Sequence, residues 1–533
     1  MKNDYESIYI VCINDFHAEM DEGEQSLGAA KLVSAMDEFR KRHGHVLVLF
    51  GGDNYKGNPI TEYLNGNPVS ELMRRLDVKA SALGNHEFDF GSESFRQWQE
   101  DGNFHFLACN LIDKRTNQTA VFVKPYEILR AADKKILVIG ICLPERLQTI
   151  DRPQEMEQYR ILSNQETIRQ MRSIWESKKE EVDAVIALTH CGLRYREGTR
   201  NLQGEELLEI CDSLPFLDGA FAAHLHQFLA DYAGRTAVAE GGSQGKGLAW
   251  LKLVFREGRL VCVIPGFEDF RRQKHEINPD REVQEQWIRC KAQAMEKLGV
   301  PLTELREAVR HRDEAFEVNP EGTPLSYMAT ELMRQMTGCS ISLFYSGRIG
   351  RGFQKGKLTL YDAEQIFFFE NKIVTVIVRG SVIKRNIETG LCTLAGDNRS
   401  PIAVSGVNVL ADFCKEPGQR TLEIRLENGQ PLEMDTEYEV AMDEFLADSQ
   451  MGFDFTGAKE IIHTGISLKQ CMIEKIKNEG ITTDFPRRIK KIDESVYIKD
   501  KAESFKSSFP DCYQEKGGDG DESTFGKGDE GVR

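Results

Sequence analysis

The stretch Ile8-Tyr9-Ile10-Val11-Cys12-Ile13-Asn14-Asp15-Phe16-His17 decides the reading of this chain. An apolar run rich in β-branched residues stops abruptly at polar ones, which is the pattern of a buried strand ending at a turn. The pattern recurs at Val46 to Phe50 before Asp53, Ala80 to Leu83 before Asn85, Ala184 to Leu188 before His190, and Ala220 to Ala223 before His224 and His226. In an open α/β sheet, ligand sites gather beyond the carboxyl ends of the strands. These strand ends therefore bring Asp15, His17, Asp53, Asn85, His190, His224 and His226 to one crevice, and a dinuclear metal site is the simplest expectation.

Outward from those strands the chain reads as α/β throughout, with helical patterns at Gly28 to Arg42, Pro68 to Leu76 and Asn164 to Lys179. At 533 residues two globular units are expected. Residues 1–275 form the metal-bearing unit and 276–315 a helical linker, with Val283, Trp287, Ile288, Ala292 and Met295 at helical spacing. Residues 316–492 form a second α/β unit, with a helix at Leu325 to Met336 and strands at Ser340 to Tyr345, Ile373 to Val378 and Tyr438 to Met442. Residues 493–533 form a polar, glycine-rich tail expected to stay disordered.

Composition narrows the function classes. The hydrophobic share is 40%, and no apolar stretch approaches the roughly 20 residues of a membrane helix. A net charge of -17 argues against nucleic-acid or anionic-membrane partners, whose phosphates must be met by Lys and Arg. Twelve cysteines without a CxxC pair, and acids at the amino terminus where a signal peptide is basic, point to a cytoplasmic location.

In Phe50-Gly51-Gly52-Asp53-Asn54-Tyr55-Lys56-Gly57 the glycines permit tight backbone approach, and a carboxylate can bridge two cations, so Asp53 is the expected bridging ligand. In Leu83-Gly84-Asn85-His86-Glu87-Phe88-Asp89, Asn85 offers a carbonyl oxygen to metal. His86 has a different partner in Asp89, because a carboxylate on one ring nitrogen fixes the tautomer and raises the basicity of the other. An imidazole so oriented suits a general acid for a leaving oxygen. His43 and His45 are read as a solvated turn and Cys191 as packing. Oxygen and nitrogen donors together favour Mn, Fe, Co or Zn. Two such ions would activate a bound water and neutralise charge on a phosphate ester, so hydrolysis is the expected reaction.

The ordered set NDFH, GGDNYKG, GNHEFDFG, LTHCG and AHLHQ resembles the calcineurin-like metallophosphoesterases, and more closely the 5'-nucleotidase and UDP-sugar hydrolase family, over about residues 7 to 492. The resemblance implies an N-terminal metallophosphoesterase α/β sandwich and a C-terminal α/β specificity domain of the 5'-nucleotidase type. It implies that Asp15, His17, Asp53 and His226 hold one divalent ion, that Asp53, Asn85, His190 and His224 hold the other, and that His86 and Asp89 form the catalytic dyad. In the second unit, Phe367-Phe368-Phe369-Glu370-Asn371, Val404-Ser405-Gly406 and Phe445-Leu446-Ala447 are similar to family segments, which implies a nucleobase sandwiched between Phe369 and Phe445.

Other positions depart from the family pattern. Ala222 and Ala223 stand where the family usually has glycine before the last His-x-His. Tyr345-Ser346-Gly347-Arg348-Ile349-Gly350-Arg351 stands for Asn-Gly-Gly-x-Ile-Arg, which puts Gly350 at the arginine position and leaves Arg348 or Arg351 to reach a phosphate. Met451 replaces the ribose-binding aspartate, and Arg312 is the nearest basic residue upstream of Gly322. The expected activity is metal-dependent hydrolysis of a nucleotide or nucleotide-like phosphomonoester. A 2',3'-cyclic-nucleotide phosphodiesterase, a UDP-sugar diphosphatase and a non-catalytic binding protein are the alternatives.

Overall fold

The computed structural model describes residues 5–492 apart from 24, 143–156, 197, 273, 313–317, 320, 351, 368–371, 393–400 and 450–451. Arg351, Phe369, Met451 and the tail expected from residue 493 lie outside the described residues.

Strands Tyr5–Ile13, Val46–Phe50, Val78–Ala82 and His105–Leu107 pair in parallel, and the antiparallel strands Gly247–Arg256 and Arg259–Asp269 complete a six-stranded sheet. A second six-stranded sheet runs Phe228–Ala233, Thr236–Gly241, Gly219–Phe221, Ala184–Thr189, Lys134–Ile141, Tyr126–Ala131. Side chains alternate along the first strand. Ile8, Ile10 and Cys12 join Ile186, Leu188 and Phe221 in a core shared by both sheets. Val11 and Ile13 face the other way, into a core with Leu32, Met36, Leu72 and Trp98 from the helices Gly28–His43, Asn67–Arg75 and Ser92–Gly102. Helices Asn164–Lys178 and Glu205–Ser213 pack on the second sheet through Ile168, Met171, Leu207 and Ile210. Because both faces of each central strand are buried, the strands read as unbroken apolar runs. The donor-bearing strand ends thus come off two facing sheets, not the single open sheet expected.

Two local expectations need correction. His43 ends its helix with the ring 4.3 Å from Tyr9 and 4.4 Å from Phe39, so it is packed against aromatic rings, and only His45 is exposed. Among the described residues of the linker the α-helix spans Arg281–Leu298, and Pro301–Leu305 is a strand paired with Gly356–Thr359 of the second unit. That helix buries Val283, Trp287, Ala294 and Leu298 against the first unit, while Ile288, Ala292 and Met295 are exposed.

The second unit is built on a five-stranded sheet in the order Ile402–Ser405, Ile341–Tyr345, Glu437–Asp443, Lys372–Arg379, Ile461–Ser467. Helices Pro324–Thr337 and Leu468–Glu479 pack on one face and Gly380–Leu391 on the other. Ile341–Tyr345 and Glu437–Asp443 are parallel neighbours. Their carboxyl ends therefore carry the Tyr345 turn and Phe445 side by side.

Candidate metal centre

The seven donors sit one to five residues past a strand, and five of them are on backbone that L-residues rarely adopt. Asp15, His17, Asp53, His224 and His226 have φ of 49°, 49°, 53°, 71° and 58°. Such left-handed residues carry strain, and strain of this kind clusters at functional sites. Hydrogen bonds between loops hold them in place. Asp15 accepts from Asn14 Nδ2 at 2.7 Å and from the His224 N–H at 3.0 and 3.1 Å, while the His17 N–H donates to Asp53 O at 2.9 Å.

The side chains gather as two groups, Asp15–His17–His226 and Asp53–His190–His224, and within each the donor atoms lie within 4.8 Å of one another. His190 Nε2 stands 3.1 Å from Asp53 Oδ2 and 4.0 Å from Asp15 Oδ1, so the groups adjoin. Asp15, Asp53, Asn85 and His190 are buried, His224 is half-buried and His226 exposed.

Two imidazoles are oriented by carbonyls. His190 Nδ1 lies 2.8 Å from Gly51 O and His17 Nδ1 3.2 Å from Lys56 O, so in each neutral ring Nδ1 carries the hydrogen and Nε2 offers its lone pair inward. Burial holds His17 down to about 4, which keeps it neutral. His17 Nε2 and His226 Nε2 then face each other at 3.3 Å. Asn85 Oδ1 and His190 Nε2 are buried with no hydrogen-bond partner among the described residues. A buried polar atom so placed costs about 1–3 kcal/mol unless something binds it. Burial pulls His190 down, but Asp53 and Asp15 outweigh it and raise the ring to about 10. Those carboxylates call for positive charge at Nε2, and a divalent ion supplies it with the imidazole neutral. The donor set therefore fits divalent metal.

His86 and Asp89 stand beside these groups. His86 Nδ1 is 2.8 Å from Asp89 Oδ2, and the His86 N–H donates to Asp53 Oδ1 at 2.9 Å. Burial lowers His86, while the charges of Asp53 and Asp89 and the bond to Asp89 raise it to about 9.

Two buried carboxylates escaped the sequence reading. Glu87 accepts the backbone N–H groups of Asp53 at 2.9 Å, Asn54 at 2.6 Å and Gly84 at 2.7 Å, which clamps two donor loops onto one side chain. Glu240 accepts the Gln227 N–H at 2.8 Å and so steadies the loop that carries His226. Glu87 lies inside the most specific motif of the chain, but an acid after a ligand reads as a solvated turn. Gly84 serves the same clamp, since a Cβ there would collide with the Asp53 carboxylate.

In the second unit, Phe445 is half-buried, with Tyr345 nearly parallel to it at 6.0 Å and the Arg348 guanidinium 4.6 Å from its centroid.

Residues 8–228 match the family of calcineurin-like phosphoesterases, and residues 305–458 match the 5'-nucleotidase C-terminal domain. The chain is 25% identical to protein UshA of Yersinia enterocolitica over 480 residues, 81% of this chain and 84% of that one. It is 23% identical to the 5'-nucleotidase of Bos taurus over 500 residues, 85% of each chain. The crystal structure of a 5'-nucleotidase precursor from Thermus thermophilus matches with a TM-score of 0.64 at 20% identity, covering 92% of this chain and 100% of that one. At that identity the structural likeness speaks for the fold.

Proposed function

Because the chain belongs to the calcineurin-like phosphoesterases and carries a 5'-nucleotidase C-terminal domain, we propose that it hydrolyses a nucleotide or nucleotide-like phosphomonoester. The observation that carries this reading is the His86–Asp89 pair beside two donor groups in which Asn85 Oδ1 and His190 Nε2 await a partner.

Asp15, His17 and His226 would hold one divalent ion and Asn85, His190 and His224 a second, with Asp53 between them. When bound, two such ions lower the pKa of water and neutralise charge on phosphate oxygens. Asp89 keeps the hydrogen on His86 Nδ1, which leaves Nε2 of the imidazolium to give its proton to the departing oxygen. The Asp53 contact to the His86 backbone sets the proton donor at a fixed place relative to the donor groups. Cytoplasmic residence is a companion reading, supported by twelve cysteines scattered without a CxxC pair.

The test is hydrolysis of AMP to adenosine and phosphate, of a 2',3'-cyclic nucleotide to the open monophosphate, and of UDP-glucose to UMP and glucose 1-phosphate, each with Mn, Co or Zn supplied. AMP should turn over fastest, and His86→Asn should lower its kcat by about 10²–10⁴. No turnover of any phosphomonoester would sink the reading; faster cleavage of the cyclic diester or the UDP-sugar would move the activity to that bond.

A further inference from the structure

The strand Thr236–Gly241 is buried along its whole length, and its residues are small or apolar except at Thr236 and Glu240. Glu240 Oε1 accepts the Gln227 N–H at 2.8 Å, whereas Oε2 is buried with no hydrogen-bond partner among the described residues. A carboxyl group taken out of water with one oxygen unanswered weakens a fold, and an apolar side chain would fill the place without that cost. Residues that break a packing rule in this way are expected where function needs them. What Glu240 does is to be sought at Oε1.

That oxygen holds the turn that carries a metal donor. His226 has a φ of 58° and a side chain 40% exposed, so the place of its ring depends on the backbone beneath it. On the carboxyl side that backbone is fixed twice: the Gln227 N–H bonds to Glu240, and the Gln227 O accepts the Gly242 N–H at 2.8 Å. The same strand end grips Asp15. Asn14 Oδ1 accepts the Gly241 N–H at 3.0 Å, while Asn14 Nδ2 donates to Gly242 O and to Asp15 Oδ2, each at 2.7 Å. Glu240 to Gly242 is thus a short bridge between two donors of one group, and it sets His226 Nε2 3.4 Å from Asp15 Oδ1. The other group is held from elsewhere: Glu87 clamps the loops of Asp53 and Asn85, His190 Nδ1 meets Gly51 O, and the His224 N–H rests on Asp15.

We propose that Glu240 is a positioning residue for one ion of the pair. By holding the Gln227 N–H it sets His226 against Asp15 and so fixes the affinity of the Asp15–His17–His226 site, while the site of Asp53, Asn85, His190 and His224 stands on other supports. The proposal rests on the reading of the two donor groups as ion sites and goes beyond it by making the ions unequal, one of them governed by a side chain that touches neither. Groups that orient a ligand from behind typically change metal affinity by about 10–100-fold.

Titration of the metal-stripped full chain with Mn(II), followed by elemental analysis after dialysis, tests this. The wild type should take up two ions. Glu240→Met, which fills a similar space without an oxygen acceptor, should weaken one binding event by at least about tenfold and leave the other unchanged. Glu240→Gln, whose amide oxygen still accepts the Gln227 N–H, should bind both ions as the wild type does. His226→Ala identifies the event: it should weaken the same one, and adding Glu240→Met to it should weaken that event little further, because both act through one ring. Two events of wild-type affinity in Glu240→Met overturn the proposal. So does an equal loss of both ions, the mark of a general structural role, and so does a loss in Glu240→Gln as large as in Glu240→Met, which would put charge in control instead of the hydrogen bond. If Glu240→Met does not fold, Glu240→Asp, whose carboxylate stops one methylene short, is read by the same criteria. Fewer than two ions in the wild type overturns the two-ion reading and the proposal with it, and that failure is told apart because it appears before any substitution is made.

Discussion

His311 shows how one buried side chain can write pH into stability. It is 2% exposed, with Nδ1 2.8 Å from Thr323 Oγ1 and Nε2 2.9 Å from Ser346 O, and burial holds it down to about 4 against an ordinary 6.5. The fold keeps it neutral, so on acidification the unfolded chain takes up the proton first. Its contribution is complete above about 6.5 and is lost as pH falls towards 4, a loss on the order of 3 kcal/mol. His311→Gln should lower stability at pH 7 but flatten the urea midpoint between pH 6.5 and 4; an unchanged slope would remove His311 as the source. At this scale the seven donors were legible because each follows an apolar run. Glu87 and Glu240 were not, since an acid in the turn after Asn85, or one inside the strand Thr236–Gly241, looks the same in sequence whether it is solvated or buried against backbone N–H groups. Whether Asp443 meets Arg348 at 3.8 Å is likewise invisible in a string, because the two lie 95 positions apart.

Elements obey a different logic. The parallel strands could be read as runs because burial on both faces removes alternation, and helix starts such as Asn164 and Pro324 follow capping residues Ser163 and Thr323. What the runs lack is any mark of sheet membership: Val46–Phe50 and Ala184–Thr189 look alike yet belong to opposite sheets. The linker helix buries only part of its apolar set. At about 100° per residue, positions 283, 287, 294 and 298 fall within about 60° of arc, while 288, 292 and 295 lie at least about 120° from 283. Ile288 and Met295 are apolar but exposed, and the buried seam depends on Ala294, which hydropathy alone ranks low. Trp287 anchors that seam, 5% exposed and donating Nε1–H to Asp21 at 2.9 Å. Trp287→Ala should cost about 3–5 kcal/mol. A thermal midpoint within a degree of wild type would mean the helix does not depend on this seam.

Across the whole molecule the two units meet around a cavity of about 390 Å³, lined by Gly57, Asn58, Glu62 and Gln244 from the first and by Gly350, Tyr361 and Phe367 from the second. Gly57 and Gln244 lie close to donor loops: a Cβ on Gly57 would press on the His17 backbone, and the Gln244 N–H donates to Asp15 O at 2.7 Å. Metal binding should therefore be felt as stability of the first unit. At a hundredfold excess over its Kd each ion adds about 2.7 kcal/mol. Chelation should lower the calorimetric midpoint of the unfolding transition, and Mn should restore it; a midpoint indifferent to metal content, verified by elemental analysis, would count against both donor groups. Glu87 has a further bearing on such a molecule. A single carboxylate ties the Asp53 loop to the turn that begins His86, so metal affinity and proton donation cannot drift apart independently. Selection for new substrates would find that hub closed to compromise, and would leave its record in the second unit, where Tyr345 to Arg348 can vary without trading one half of the chemistry against the other.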